Sequence, residues 1–285
     1  MTKVLKEELP LMARQIRRDI VRMINAANSG HTGGSLGTAD YFTALFFGDV
    51  LRYDPSEFTM SGHGEDMFFL SNGHIAPVLY ATMARAGYFP IAELGTLRRL
   101  HSRLQGHPST AHNLQGIRIA SGSLGQGLSN AIGAALGKKM NSCSKLVYVL
   151  MGDGELEEGQ IWEAAMFAGA KKIDNLIATV DHNGLQIDGS TDDVMNLLNI
   201  QDKFRSFGWE ILSVDGHDIN ALLGVFEKAR TLSGKGKPVL IDMKTEMGHG
   251  VDFMTNLAKW HGTAPSDEQT AEALKQLSET PFGDY

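Results

Sequence analysis

The sequence predicts an α/β fold, a single doubly wound domain over residues 1–285 with a mostly parallel central sheet flanked by helices. Two observations carry this prediction. Short apolar runs typical of buried strands alternate with helical segments, which is the pattern of a parallel sheet covered on both faces. No internal repeat, low-complexity linker or clear boundary interrupts the alternation. A chain of 285 residues is also long enough to bury a sizeable core.

The N-terminal part of the chain is predicted to be mainly helical. Residues 11–28 place apolar side chains at helical spacing, and Pro10 stands where a first-turn proline is tolerated. This helix is expected to end in NSGHTGGSLG, a glycine-dense loop. Helices are then expected over ADYFTALFFGDVL and over IAPVLYATMARAG, which Gly87 ends, with the strand and loop MFFLSNGH between them. Residues 88–118 mix short helical pieces with a polar loop.

The remainder of the chain predicts the sheet. SGSLGQGLSNAIGAALGKKM is a Gly-rich loop that opens a helix, and its small residues over 133–137 would let another element pack very close. KLVYVLM and NLIATVD are strands on either side of the helix WEAAMFAGAKK, a βαβ unit. FGWEILSVDG and KPVLIDMKT predict further strands around the helix INALLGVFEKARTL. SDEQTAEALKQLSE is a final helix with Ser266 and Gln269 at capping-box spacing.

Composition excludes several classes of partner. The chain has 26 Lys and Arg against 33 Asp and Glu, a net charge of −7, and no basic stripe that would bind nucleic acid or an anionic membrane. No apolar run approaches the roughly 20 residues of a membrane span, and the N-terminal stretch lacks a signal-peptide core. The single cysteine, Cys143, excludes an intramolecular disulfide and fits a reducing compartment. We therefore expect a cytoplasmic protein.

Two polar residues follow neighbouring strands of the predicted βαβ unit. Asp153 follows KLVYVLMG and Asn183 follows NLIATVDH, 183 − 153 = 30 residues later. The carboxyl ends of parallel strands meet at one edge of the sheet, where ligands bind. A carboxylate and an amide oxygen suit Mg²⁺ rather than Zn²⁺, although two ordinary polar turns would also fit this spacing.

Several motifs in a fixed order resemble those of one family. Gly-Asp-Gly, about 30 residues and an Asn that closes a strand resemble the thiamine-diphosphate fingerprint. INAANSGHTGGSLG, FFLSNGHIAPVLYA, LQGHP and SGSLGQGLSNAIGAALG are similar to loops of transketolase, in its N-terminal, diphosphate-binding domain. The resemblance extends from about residue 11 to 265. It implies the thiamine-diphosphate-binding fold, with thiamine diphosphate and Mg²⁺ as cofactors and Ca²⁺ or Mn²⁺ as alternative metals.

The resemblance assigns roles to individual residues around the cofactor. Asp153 and Asn183 would bind the metal through their side chains, and Leu185 through its backbone carbonyl. Gly154 would donate its amide to the diphosphate, and three residues would lie against the cofactor rings: Gly122, Leu124 and Ile187.

Two glutamates are a separate case. Glu158 and Glu163 match acidic residues that form a carboxylate network at the subunit interface of the family, and Glu158 would thereby belong to the cofactor-binding set. A solvated, charged helix face is the alternative interpretation of both.

Four of the ten histidines stand in these motifs. The reaction moves protons on sugar hydroxyls near neutral pH, which suits imidazole. By resemblance, His31 and His261 would contact substrate hydroxyls near the reacting carbons, His261 also contacting the cofactor. His74 would contact the diphosphate, and His107 the donor's terminal hydroxyl. His249 is a competitor for the role of His261. The other histidines are predicted to lie in loops or on the surface: His63, His101, His112, His182 and His217.

The chain departs from the family at three places. Thr32 stands where many relatives have Pro, which is expected to loosen that turn while leaving His31 in place. SGHGEDMFFLSNGH lacks the Arg-Asp-Arg that often precedes the strand, which leaves the local salt bridges open. DHNG lacks a second acidic residue beside the Asn, which alters the charge near the metal.

The largest departure is length. A full transketolase is much longer, and its second domain carries the glutamate that protonates the aminopyrimidine ring. We therefore expect an N-terminal subunit that acts with a C-terminal subunit carrying the pyrimidine-binding domain, as a heterotetramer, on ketose and aldose sugars or their phosphates. The N-terminal stretch and the capped tail helix favour a natural subunit. A non-catalytic scaffold and an alpha subunit of a 2-oxo-acid dehydrogenase are alternatives. Deoxyxylulose-phosphate synthase shares some of these loops but is a single longer chain.

Overall fold

The structure is a computed structural model that describes residues 4–285. Residues 1–3, which belong to the predicted domain and to the N-terminal stretch considered above, lie outside the described residues. Seven strands are found in the described part of the chain: β1 (Met67–Leu70), β2 (Val147–Gly152), β3 (Leu176–His182), β4 (Leu185–Gln186), β5 (Gly189–Ser190), β6 (Glu210–Asp215) and β7 (Val239–Lys244).

Five of these strands form one parallel sheet in the order β1-β2-β3-β7-β6. All four pairings within it are parallel, and Gly152 at the end of β2 pairs with Asp181 near the end of β3. Strands β4 and β5 form a small antiparallel hairpin beyond the end of β3. The predicted parallel sheet is confirmed, because each of its strands falls on an apolar run identified in the sequence.

Ten α-helices accompany the sheet among residues 4–285: α1 (Leu9–Ala27), α2 (Thr32–Gly37), α3 (Ala39–Phe47), α4 (Ala76–Ala86), α5 (Gln126–Met140), α6 (Gly159–Ala170), α7 (Thr191–Met195), α8 (Ile200–Ser206), α9 (Ile219–Leu232) and α10 (Asp267–Gln276). None of them has the length and apolar character that crossing a membrane requires. Local signals set several ends. Pro10 lies in the first turn of α1, Gly87 ends α4 with φ of 94°, and Ser266 and Gln269 form the predicted capping box of α10.

Helices cover both faces of the sheet. Alternate residues of β2 face opposite cores, because successive side chains of a strand point to opposite sides. Tyr148 and Leu150 pack in the core that contains α1, α3, α4 and α9. Val147 and Val149 pack in the second core, with α5, α6 and α8. The doubly wound arrangement predicted from the sequence is therefore present.

The glycine-dense segment NSGHTGGSLG is largely helical, so its prediction as a loop was wrong. Residues 32–37 form α2, and its glycines are needed for close packing rather than for turns. A Cβ on Gly33 would overlap the Met247 side chain, and one on Gly37 would lie 2.8 Å from the Glu246 carbonyl oxygen. Backbone approach of this kind selects glycine even where glycine weakens a helix.

Two further features differ from expectation. A Cβ on Gly133 or Gly137 of α5 would have nothing within 4 Å in the described chain, so this small-residue face has no close neighbour there. The segment before β1 lacks the family's Arg-Asp-Arg, but Glu65 pairs with Arg118, and Asp66 lies 3.7 Å from Arg230. Different residues thus supply the local ion pairs.

Candidate functional site

A cleft of about 240 Å³ opens at the carboxyl edge of the sheet, where β1, β2 and β3 end. It brings together eleven of the residues singled out in the sequence: His31, His74, His107, Gly122, Leu124, Asp153, Gly154, Asn183, Leu185, Ile187 and His261. These residues come from loops as far apart in sequence as 31 and 261. The topology therefore does what the strand-end argument predicted for Asp153 and Asn183, and it adds the four histidines to the same place.

Asp153 is held in a fixed orientation by backbone amides. Its Oδ1 accepts a hydrogen bond from the Gly154 amide at 2.8 Å, and its Oδ2 accepts one from the Gly184 amide at 2.6 Å. Asn183 donates to Asp181 Oδ2 at 2.9 Å and accepts from the Leu185 amide at 2.9 Å. The turns that follow β2 and β3 thus orient one carboxylate and one amide oxygen in a common centre.

The donor set of this centre fits a hard divalent cation. Burial, followed by the nearby Asp181 carboxylate, raises the pKa of Asp153, and burial also raises the pKa of Asp181. Two buried carboxyl groups beside an amide oxygen favour a cation that prefers oxygen ligands, and none of the three offers the thiolate or imidazole of a zinc site. The residues therefore suit Mg²⁺, Ca²⁺ or Mn²⁺.

The floor of the cleft is a cradle made by glycines. A Cβ on Gly154 would lie 3.2 Å from the Gln186 Cβ, and one on Gly122 would lie 3.3 Å from the His107 ring. The Gly154 amide, which the sequence predicts to contact a diphosphate, donates to Asp153 in this structure. Side chains at these positions would fill the space that a bound phosphate or ring needs.

The four motif histidines form one cluster on the other side of the cleft. The His31 ring centroid lies 5.1 Å from that of His74, 5.5 Å from that of His261 and 6.4 Å from that of His107. The His74 and His261 centroids are 5.0 Å apart. Such spacing places several imidazole nitrogens within reach of one small polyhydroxylated molecule.

Burial keeps these imidazoles neutral. It is the largest cause of a lowered pKa in all four, and it lowers that of His31 from 6.5 to about 4 with help from His261, Arg98 and His107. The Nδ1 atoms of His31 and His261 and the Oδ1 atom of Asn72 are buried without a hydrogen-bond partner in the described chain. Unpaired polar atoms are costly in a protein interior, so these three indicate a place built for a polar ligand.

Local structure explains how His31 and His74 are held. His31 is the N-cap residue of α2, and Thr32 donates through its hydroxyl to the Thr263 carbonyl at 2.9 Å. Thr32 therefore ties the His31 loop to the segment that follows His261. The expectation that Thr32 loosens this turn was wrong, because its side chain is fully buried and bonded. His74 lies in the 3-10 turn Gly73–Ile75 beyond β1.

Three candidates lie outside the cleft. Glu158 is the N-cap residue of α6, and both Glu158 and Glu163, further along the same helix, are exposed. Neither lines the cleft formed by the described residues. His249 lies elsewhere, with its ring stacked 3.6 Å from that of His217, so His261 is the histidine that the structure brings to the site.

The His249 cluster has the residue types of a metal site but not the geometry. Asp40, His217 and His249 offer ligand atoms within 4.8 Å of one another. His217 accepts the Glu246 amide through Nε2 and contacts Asp40 through Nδ1, so both of its nitrogens are engaged. The two rings are almost parallel, at 8°, and their in-plane lone pairs cannot converge on one ion. His217 is a loop residue as predicted, but it is mostly buried.

Sequence reasoning missed several residues that line the cleft: Gly34, Asn72, Glu155, Asp181, Gln186 and Met247. Glu155 is buried, and its carboxylate accepts from the Gly125 amide at 2.7 Å and the Gly152 amide at 3.0 Å. It also accepts from the Ser71 hydroxyl. The sequence did hold a signal for two of these residues. Glu155 follows Asp153 by two positions and Asp181 precedes Asn183 by two, so both lie at the strand ends already identified.

Comparison with known proteins gives a consistent family. The family model described as "Transketolase, thiamine diphosphate binding domain" matches residues 10–283. The chain is 37% identical over 273 residues to an apulose-4-phosphate transketolase subunit of Phocaeicola vulgatus, with 96% of this chain and 95% of the relative covered. It is 39% identical over 271 residues to the 6-deoxy-6-sulfo-D-fructose transketolase subunit SqwG of a Clostridium species, with 95% and 96% covered.

Solved structures share the fold. The crystal structure of transketolase from Campylobacter jejuni superposes with a TM-score of 0.89 at 31% sequence identity, over 99% of this chain and 44% of that one. The chain thus spans less than half the length of that transketolase. The family model, the relatives and the fold agree, and the chain belongs to the transketolase family, in the region of its thiamine diphosphate binding domain.

Proposed function

We propose that the chain is the N-terminal subunit of a two-subunit transketolase. It would bind the Mg²⁺–diphosphate end of thiamine diphosphate and, with a C-terminal subunit, transfer a two-carbon ketol unit from a ketose to an aldose. The observation that carries this proposal is the convergence of Asp153 and Asn183 with four neutral histidines in one cleft.

Asp153 and Asn183 would hold the metal through side-chain oxygens, and Leu185 would add its backbone carbonyl. The glycine cradle at Gly122 and Gly154 supports a phosphate-bearing ligand beside that metal, because these positions carry no side chain that would fill the space. Leu124 and Ile187 would provide the apolar surface for the rings. When bound, thiamine diphosphate supplies the nucleophilic carbon and the electron sink that ketol transfer needs.

The histidines would move and hold protons on the sugar. His31 and His261 each have a neutral ring with an unpartnered Nδ1, so either ring can accept a hydroxyl proton or donate one from its other nitrogen. His107, at the less buried end of the cluster, would contact the donor's terminal hydroxyl. His74, half-buried beside His31, would contact the diphosphate.

Two kinds of sugar are suggested by relatives of nearly the same length. One is named for apulose 4-phosphate and the other for 6-deoxy-6-sulfo-D-fructose, so each name describes a ketose with an anionic group. We propose that this chain also serves a ketose with a phosphate or sulfonate group. The residues that read that group would lie on the partner subunit.

The partner would be a C-terminal transketolase subunit with the pyrimidine-binding domain, in a heterotetramer with two copies of each chain. Relatives of nearly this length are themselves named as transketolase subunits, and solved transketolases of the same fold are more than twice as long, which supports this arrangement. The exposure of Glu158 and Glu163 supports their proposed place in a carboxylate network at the interface, since both can meet a second chain.

The test is reconstitution from separate chains. The protein is assayed for ketol transfer alone and mixed with the candidate partner, with thiamine diphosphate and Mg²⁺ present in both cases. We expect turnover only in the mixture. Turnover by this chain alone would contradict the two-subunit proposal, and the absence of metal-dependent cofactor binding in the mixture would favour a non-catalytic scaffold.

A substitution tests the metal assignment. Asp153→Ala should abolish Mg²⁺-dependent binding of thiamine diphosphate in calorimetry on the mixture, because it removes the buried carboxylate of the centre. Asp202→Ala is the matched control, since Asp202 is an exposed aspartate of α8 that lies outside the cleft. Metal-dependent binding that persists in Asp153→Ala would show that the metal lies elsewhere.

A further inference from the structure

Arg98 lies between the two loops that carry His31 and His107. Its Nη1 donates to the Ser29 hydroxyl at 2.8 Å, and its Nη2 donates to the Gly106 carbonyl at 3.4 Å. Ser29 precedes His31 by two residues, and Gly106 immediately precedes His107. One guanidinium group therefore bridges the loop that carries His31 and the loop that carries His107.

The backbone around Arg98 is built for this contact. Arg98 has a φ of 57°, in the left-handed region that residues other than glycine seldom occupy, and its amide donates to the Leu104 carbonyl at 2.8 Å. A Cβ on Gly106 would lie 2.8 Å from the guanidinium carbon, so only glycine lets the group pack flat against the loop. A non-glycine residue held at positive φ is commonly associated with function.

The charge of Arg98 has no counterion in the chain from residue 4 to 285. Other arginines of the chain do pair with carboxylates, as Arg103 does with Glu93 and Arg17 with Asp40. No aspartate or glutamate oxygen of the described residues lies within 4.0 Å of Arg98, and its Nε is buried without a hydrogen-bond partner. Burying part of an arginine without a counterion costs solvation free energy. Such a residue is therefore expected to have a role for its charge or for its planar set of hydrogen-bond donors.

We propose that Arg98 is a positioning residue for ketol transfer, clamping the His31 and His107 loops so that both imidazoles face the same substrate. The inference rests on the proposed function, because it assigns those imidazoles to one sugar. Arg98 does not itself line the cleft. It acts through the two loops, whose histidine rings lie 6.4 Å apart between centroids.

The electrostatic surroundings support the same role. Burial is the largest cause of the lowered pKa of His31 and His107, and the Arg98 cation lowers the pKa of both further. The other groups that face His31 are His74, His107 and His261, which are themselves neutral imidazoles. The Arg98 guanidinium is therefore a permanent cation whose charge acts on both histidines.

The experiment compares three variants in the assembled enzyme with thiamine diphosphate and Mg²⁺. Arg98→Met removes the charge and the clamp, and Arg98→Lys keeps the charge but loses the planar fork that spans two acceptors. Arg99→Met is the matched control, because Arg99 is the exposed neighbour on the same turn. We expect kcat/KM to fall about a hundredfold in Arg98→Met and about tenfold in Arg98→Lys, with Arg99→Met close to the parent.

A second readout does not depend on activity. Side-chain NMR titration of the histidines should show the midpoint of His31 moving upward from about 4 in Arg98→Met, because loss of a nearby cation makes protonation easier. The acidic limb of the kcat/KM profile should move to higher pH in the same variant, and should stay in place in Arg98→Lys.

Two results would overturn the inference. One is an Arg98→Met enzyme whose kcat/KM equals that of Arg99→Met. The other is a loss of activity in Arg98→Met with the titrations of His31 and His107 unchanged, which would assign Arg98 to direct substrate contact. If the assembled enzyme transfers no ketol unit at all, the proposed function fails, but the histidine titrations still test the clamp.

Discussion

His31 shows how a buried position changes the chemistry of a side chain. Burial is the largest cause of its lowered pKa of about 4, and the imidazoles of His261 and His107 and the Arg98 guanidinium lower the pKa further. Neutral imidazole is the form that can accept a proton from a sugar hydroxyl, so the same burial that costs solvation prepares the group for proton transfer.

This burial predicts a dependence of stability on pH. Unfolded His31 has the ordinary pKa of 6.5 and folded His31 one of about 4, so the unfolded chain binds more protons between these values. The free energy of unfolding contributed by His31 is therefore present in full above about 6.5 and is lost as pH falls toward about 4. Relative to His31→Gln, the parent should lose up to about 3 kcal/mol across that window, measured by urea unfolding.

His112→Gln is the control for that series, because His112 is exposed and lies in a 3-10 turn outside the cleft. The remaining cleft histidines and carboxylates are present in both the parent and His31→Gln, so the difference between their curves reports His31 together with its effect on the pKa of His74. Parallel pH curves for the parent and His31→Gln would contradict the lowered pKa of His31.

Thr32 gives a second prediction at the residue scale. Thr32→Val keeps the shape of the buried side chain but removes the hydrogen bond to the Thr263 carbonyl. We expect a loss of about 1 kcal/mol in the free energy of unfolding. Thr43→Val is the matched control, because the Thr43 hydroxyl bonds only the Ala39 carbonyl within its own helix. Equal losses in the two variants would show that the tie between the histidine loops adds no more stability than a hydrogen bond within one helix.

Close packing between elements depends on glycines in helices. Gly169 lies in the last turn of α6, where a Cβ would overlap the Phe207 carbonyl oxygen in the segment between α8 and β6. Trp209 donates through its indole to the Ala165 carbonyl at 2.8 Å and fixes the same contact. The approach of these elements is therefore set by one position without a side chain.

Replacing glycines in two helices should distinguish the effect of close packing from the effect of helix propensity on stability. Gly169→Ala should destabilise the chain by about 2 kcal/mol, because the backbone of the neighbouring segment must move. Gly224→Ala, in the middle of α9 with nothing within 4 Å of the added Cβ, should instead stabilise it by about 1 kcal/mol. Both are measured by chemical denaturation of this chain. Stabilisation by Gly169→Ala would show that the α6 contact is loose.

The helices and strands differ in how well they could be predicted from the sequence. The main strands and most of the helices follow from apolar runs and caps such as Ser266, because those signals are local. Helix α2 was missed since its glycines serve contacts with Met247, which is distant in the sequence. Asp153 and Asn183 could be predicted from their spacing, and the histidines from family motifs. The bridging role of Arg98 depends on a contact across 69 residues that no local pattern encodes.

A run of exposed apolar side chains follows the cleft residue Ile187 in the sequence. The segment from β4 to the start of α8 carries large apolar side chains that are exposed in this chain. The exposed fraction is 64% for Ile187, which lines the cleft, 56% for Met195 and 77% for Leu198. Large apolar groups left exposed in this way favour contact with a second protein chain. They are consistent with a partner subunit that completes the site.

Substituting an exposed apolar residue of this segment should weaken assembly without changing the stability of the fold. Met195→Glu places a charge where the proposed C-terminal subunit would cover α7, so we expect association with that subunit to weaken by at least about tenfold. Met60→Glu is the control, because Met60 is similarly exposed, at 54%, but lies in the segment before β1, far in sequence from α7. Calorimetric titration of each variant with the partner gives the affinity, and thermal unfolding of the chain alone checks its fold. Unchanged affinity in Met195→Glu would place the interface elsewhere, whereas reduced affinity with an unchanged melting temperature would locate the partner on α7.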